Sequence, residues 1–192
     1  MTDQGPEGWL AYGDEAYLAT RLLWFTGFPI ESALAAHRAL ERYFKAYLTA
    51  SGVRMEAELG GWGRNIDTMR SVASAFDDGF RDDAARARTR AIQALFKRLR
   101  EPDGAGATPA EVTWAGVVAP TDDLVAFLRP RVRVAEEVWP RLPLARVVAS
   151  ENRPNPFRVR ALREHNLRID TILCARTQSP AAAFQPLPDL DE

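Results

Sequence analysis

The sequence predicts an all-α fold, an up-and-down bundle of roughly four to six helices with short loops and a frayed C-terminal tail. Three features carry that expectation. Apolar residues recur at helical spacing in several long windows, Gly and Pro stand where helices should stop and start, and alternating strand patterns are scarce. The 192 residues are 46% apolar and 27% charged, which suits one domain with a dense core and excludes collagen-like or disordered chains. The single Cys174 closes no intrachain disulfide, and no run of about 18 apolar residues offers a membrane span. Met1 to Glu7 is acidic with no apolar run behind it, so the expectation is a cytoplasmic chain without a signal peptide.

A first helix is expected from Asp14 to Phe25, with Asp14 and Glu15 at its positive end. Gly27-Phe28 breaks it, and Pro29 suits the first turn of a second helix running to about Ser51, where Gly52 stops it. The apolar stripe of that helix is Ile30, Ala33, Leu34, Leu40, Phe44, Tyr47 and Leu48, with Arg38, Arg42 and Thr49 on the wet side. Gly60-Gly61-Trp62-Gly63 reads as a loop before a third helix, Asn65 to Phe76. A fourth helix spans Arg81 to Arg100.

Residues 101–120 form a Gly/Ala/Pro-rich connection, and Thr121-Asp122-Asp123 reads as the cap of a helix that Pro130 ends. Pro140 and Pro143 predict an irregular stretch. Asn155 then caps a last helix with Pro156 at its first position and Val159, Leu162, Ile169 and Leu173 as its stripe. Residues 1–176 thus read as one helical domain and 177–192 as a Pro-rich acidic tail.

The net charge of −1 hides a split: residues 1–79 sum to −4, 80–176 to +6 and the last sixteen to −3. A basic second half can meet phosphates, although 23 of the 25 basic residues are Arg, which points to base composition as much as to function. On the fourth helix Arg86, Arg90 and Lys97 fall close to one face and form the best nucleic-acid surface; a solvated helix face is the plain alternative.

The segment AAHRALERYFKAYL at residues 35–48, preceded by YLATRLLWFTG at 17–27, resembles the HEPN superfamily. The matching positions are Ala36, Ala39, Glu41, Lys45, Ala46 and Leu48, and the likeness covers about residues 10–76. The third helix departs from the pattern, with Asn65-Ile66-Asp67 where a Thr-His-Asp-Leu start is common. The resemblance implies a helical bundle that dimerises. It also implies one of two activities: metal-independent RNA cleavage through an Arg-x4–6-His motif on a late helix, or a non-catalytic scaffold.

Two histidines, His37 and His165, are available for such a motif. Arg158 and Arg160 stand six and four residues before His165, counting those between, so both fit. On a continuous helix, residues seven apart return to within about 20° of one direction, whereas a step of five lands about 140° away. Geometry therefore favours Arg158, while the family pattern alone could choose Arg160. In this reading His165 moves protons to and from RNA oxygens, the Arg holds the phosphate, and Asn166 orients or contacts it. The first turn behind Asn155-Pro156 adds backbone N–H groups that favour an anion.

His37 reads as a hydrogen-bonded core histidine with Glu41 and Lys45 as an i,i+4 pair, or alternatively as part of a site facing the last helix. The acids Asp77, Asp78, Asp82 and Asp83 match no calcium loop and read as helix caps, so no metal and no cofactor are expected. Hydrolase and dehydrogenase motifs are lacking. The functional expectation is an RNA-directed HEPN-like homodimer, an endoribonuclease of the toxin or defence type. The rival is a non-catalytic dimerising module that partners a co-encoded protein such as a nucleotidyltransferase.

Overall fold

The computed structural model describes residues 5–53, 64–100, 108–149 and 155–173. Its α-helices are α1 (Pro6–Phe25), α2 (Pro29–Ala50), α3 (Ile66–Ala73), α4 (Asp83–Leu99), α5 (Trp114–Leu128), α6 (Pro143–Ala149), α7 (Pro156–Arg163) and α8 (Ile169–Leu173). Single 3-10 turns link several of them, and no strand occurs among the described residues. The all-α bundle is as expected, more finely divided in its last third. None of the described helices is long and apolar enough to cross a membrane. The Gly60–Gly63 loop, Cys174 and the 177–192 tail lie outside the described residues.

Helices α1 and α2 form an antiparallel hairpin whose joints the sequence specifies. Gly27 and Gly52 both take left-handed backbone, φ 85° and 88°, one residue beyond a helix's last half-turn. At the first joint Phe28 N–H donates to Leu23 O at 2.9 Å and Gly27 N–H to Trp24 O at 3.0 Å. At the second, Val53 N–H donates to Leu48 O and Gly52 N–H to Thr49 O, both at 3.0 Å. These pairs satisfy carbonyls the helix would otherwise leave bare, and they need a residue without a side chain at the turn.

The first helix begins at Pro6, eight residues earlier than expected. Gly8 and Gly13 lower helix propensity, but a Cβ on Gly13 would stand 2.9 Å from Tyr43 Cδ1, so its bareness lets α1 and α2 approach. Asp14 is consequently not a capping acid at a helix start. It is fully buried in mid-helix.

Helix α5 is the central element, with every residue from Thr121 to Arg129 buried. Here the expected boundary is also corrected. The cap is Thr113, whose hydroxyl accepts from Gly116 N–H at 3.0 Å, and Thr121, Asp122 and Asp123 lie in the helix interior. Pro120 sits inside the helix, and the Thr121 hydroxyl folds back on Val117 O at 2.6 Å. The acids are there because cations meet them: Asp122 pairs with Arg21, and Asp123 with Arg88 at 3.2 Å and Arg168 at 2.9 Å.

The same order recurs on two helices. Asp14 precedes Arg21 by seven residues on α1, and Asp122 precedes Arg129 by seven on α5. The helices run antiparallel, so each acid faces the other helix's base. Arg129 Nε and Nη2 reach Asp14 at 2.8 and 3.0 Å, and Arg21 Nη1 reaches Asp122.

These buried ions also fasten the short C-terminal helices by their ends. Arg21 donates to Ala161 O at 2.6 Å and to Glu164 O, Arg129 donates to Ile172 O at 2.5 Å, and Asp14 accepts from Leu144 N–H at 3.3 Å. Cations thus meet the carbonyl ends of α7 and α8, and an anion meets the amide end of α6. That pairing turns the Pro140–Pro143 stretch, expected to be irregular, into a 3-10 turn (Glu136–Arg141) followed by α6.

Candidate functional site at the end of α7

Helix α7 starts as the sequence predicts, with Pro156 in its first turn and Asn155 as cap. The Asn155 side chain accepts from Phe157 N–H at 3.2 Å and Arg158 N–H at 3.3 Å. Those amides, expected to receive a phosphate, are therefore already occupied.

The helix does not continue through His165. It ends at Arg163, Glu164 turns to extended backbone, and His165 takes φ 53°, the one left-handed non-glycine among the described residues. Asn166 explains the break. It is buried, its Nδ2 donates to Tyr17 OH at 2.8 Å and Leu162 O at 3.0 Å, and its Oδ1 accepts from Arg168 N–H at 3.0 Å. A continuous helix would forfeit all three bonds, and His is one of the few side chains that tolerates the left-handed region.

Two expectations change with that turn. Arg158 and His165 do not share a helix face, because His165 is off the helix. Asn166 is a structural clamp on Tyr17 with no exposed face for a phosphate. Tyr17 in turn donates to Asp122 Oδ1 at 2.7 Å, so the turn rests on the buried Arg21–Asp122 pair. Burial pushes the Asp122 carboxyl up to about 6, with Arg21 and Tyr17 pulling the other way.

His165 is exposed, with its ring 6.1 Å from that of Trp114 in an edge-on arrangement. Trp114, half-buried at the start of α5, is braced by Trp24 at 5.7 Å and Phe25 at 5.8 Å, and the Arg21 guanidinium lies 5.2 Å from its ring centre. On α7 itself the side chains Arg158, Arg160 and Arg163 are exposed. Arg160 Nε donates to Glu164 Oε2 at 2.6 Å, and this hydrogen bond holds the Glu164 carboxyl below its usual range, helped by the nearby His165 and Arg21 charges. Glu164 thus joins Arg160, more than Arg158, to the surroundings of His165. Arg158 and Arg163 form no ion pair with a described residue.

The other sequence-predicted residues lie apart from this cluster. His37 is fully buried, its ring stacked on Phe96 with centroids 3.5 Å apart. Gln93 Oε1 accepts from Ile66 N–H at 2.9 Å and lies 3.1 Å from His37 Nε2, so the proton sits on Nε2. Burial lowers the His37 pKa and keeps the ring neutral. Glu41 and Lys45 form their pair at 2.5 Å, and Lys45 Nζ lies 4.8 Å from the Trp9 ring centre. These three brace the bundle.

On α4, Arg86 pairs with Asp83, and Arg90 reaches Asp67 at 3.2 Å, so only Lys97 of the expected basic face meets no described acid. Of the four crowded acids, Asp77 meets Arg131 at 3.1 Å and Asp78 meets Arg81 at 3.0 Å. Asp82 caps α4 by accepting from Ala85 N–H at 2.9 Å. Among the described residues no group of three or more His, Cys, Asp or Glu is placed to hold a metal ion.

Sequence reasoning missed Arg21, Tyr17, Trp24, Phe25 and Trp114 as parts of the site. One signal was present: an arginine inside the apolar window Tyr17–Phe25 must find a buried anion. Trp114 had none, because it stands in a Gly/Ala/Pro-rich segment read as a connection. Comparisons with protein-family models, with curated proteins and with solved structures find no match for this chain.

Proposed function

We propose that this chain is an RNA-directed, HEPN-like bundle whose working surface is the α7 end, and that His165 there cleaves RNA without a metal. The observation that carries the reading is the exposed His165 on a left-handed turn, next to Glu164, which holds the exposed Arg160; Arg158 and Arg163 are exposed on the same short helix. A non-glycine residue held in left-handed backbone stores strain, and such residues cluster at functional sites. Imidazole transfers protons near neutral pH, and guanidinium groups stabilise charge on a phosphate.

In the reaction His165 accepts the 2′-hydroxyl proton as that oxygen attacks the adjacent phosphorus. The bond to the 5′-oxygen breaks, and the departing oxygen takes a proton from water, while protonated His165 later returns its proton to solvent. The products are a 2′,3′-cyclic phosphate and a 5′-hydroxyl. In this reading Arg160 steadies the phosphate once Glu164 yields it.

The test is end-labelled RNA incubated in EDTA with the parent protein and with His165→Ala. The expected result is cleavage by the parent alone, leaving cyclic phosphate ends. Equal cleavage by both proteins, or none by either, would remove the enzyme reading.

A second reading, a non-catalytic dimerising or partner-binding module, has its own observation. Leu167, two residues after His165, is 69% exposed, and Phe157, at the start of α7, is 46% exposed. Light scattering with Leu167→Ser tests it: a dimer that the substitution dissociates supports the module, and a monomer in both proteins opposes self-association.

A further inference from the structure

We infer that Trp114 is a stacking platform for one unpaired base of single-stranded RNA. This rests on the RNA-directed reading of the same site and names what that site prefers. The indole is half-buried, packed against the apolar cluster of Ala33, Ala36, Val112, Val117 and Val118, and its three ring neighbours meet it at 75°, 58° and 77°. No described ring lies parallel to it. On its buried side the ring rests against Arg21, which three hydrogen-bond partners hold in place. Thr113 caps the helix turn that carries Trp114, at 3.0 Å from Gly116 N–H. The platform is therefore rigid before a ligand arrives, and little ordering cost falls on binding.

The surrounding charge selects the partner. A greasy protein surface would leave Arg158 and Arg163 desolvated without a counter-charge, whereas a nucleotide brings a flat ring and a phosphate together. An unpaired base offers both of its faces to an aromatic side chain, and a duplex hides them. Every base has a π-face, so the platform tolerates any sequence and discriminates against paired strands. His165, 6.1 Å from the same indole, then lies beside the nucleotide whose base is stacked.

The experiment measures fluorescence anisotropy of a short labelled strand with 2′-fluoro sugars, which cannot form the cyclic product. Three ligands are compared: the single strand, its duplex, and the same strand with abasic positions. The parent should bind the single strand about tenfold or more tightly than the other two. Trp114→Ala should lose that preference, and Trp114→Phe should keep most of it. Arg158→Gln with Arg163→Gln should weaken all three ligands alike and flatten the salt dependence.

If the parent binds the three ligands equally, the platform is wrong whatever the variants do, which covers an alanine variant that fails to fold. If single-strand preference survives in a folded Trp114→Ala protein, the platform is also wrong while the RNA reading stands. If the parent binds none of the three, both fall.

Discussion

Arg21 shows how much one side chain can be asked to do. It is fully buried, neutralises Asp122, holds two carbonyls at the end of α7 and lies against Trp114. Removing one member of a buried pair strands the other charge, at a cost of about 3–5 kcal/mol, whereas removing both can be nearly neutral. In urea unfolding, Arg21→Met and Asp122→Asn should each be strongly destabilising, and the double variant should recover part of the sum. Full additivity would mean that the two groups do not interact.

His37 supplies a prediction in pH. Its folded pKa is lowered by burial, so the unfolded chain takes up a proton first as pH falls. Stability from His37 is complete above about 6.5 and declines below it, by up to about 1.4 kcal/mol per pH unit until the folded ring also protonates. Asp122 acts oppositely: its carboxyl is raised to about 6, so its contribution is complete below the unfolded value of about 3.9 and is lost as pH rises through 6. Unfolding followed from pH 8 to pH 5 should therefore flatten or reverse its slope in His37→Gln. An unchanged slope would assign the dependence elsewhere.

Among the elements, the α1–α2 hairpin was legible and the α7–α8 break was not, for one physical reason. Gly27, Pro29 and Gly52 act through their own backbone, so sequence alone locates those joints. Asn166 breaks the last helix because Tyr17, 149 residues earlier, waits for it, and no local pattern records that. The same holds for Asp122 and Asp123, which look like a cap until Arg21, Arg88 and Arg168 are in place.

The α7 end also carries an internal competitor. Glu164 occupies Arg160 through two hydrogen bonds, at 2.6 and 3.3 Å, and in the proposed RNA reading it competes there with a phosphate. Glu164→Gln should release that guanidinium and strengthen RNA binding several-fold at low salt, an effect that fades as salt rises. Weaker binding in a folded variant would show that Glu164 positions Arg160 instead of withholding it.

For the whole molecule, the buried ions set which parts move together. The ends of α6, α7 and α8 hang on Asp14, Arg21 and Arg129 more than on long apolar stripes of their own. Hydrogen exchange should therefore report α8 protected alongside α5 in the parent, and released well before the α1–α2 hairpin in Arg129→Met. Joint loss of protection in all the helices would instead indicate a single cooperative unit.

The repeated Asp-then-Arg order on α1 and α5 has a consequence for how the chain finds its fold. Docked antiparallel, each helix offers a base to the other's acid. Docked parallel in the same register, acid would face acid and base would face base, with no water to soften the repulsion. Four side chains thus act as a direction code, rejecting a reversed bundle that hydrophobic matching alone would accept. Descendants of this chain should then inherit changes at 14 with 129, and at 21 with 122, as linked pairs.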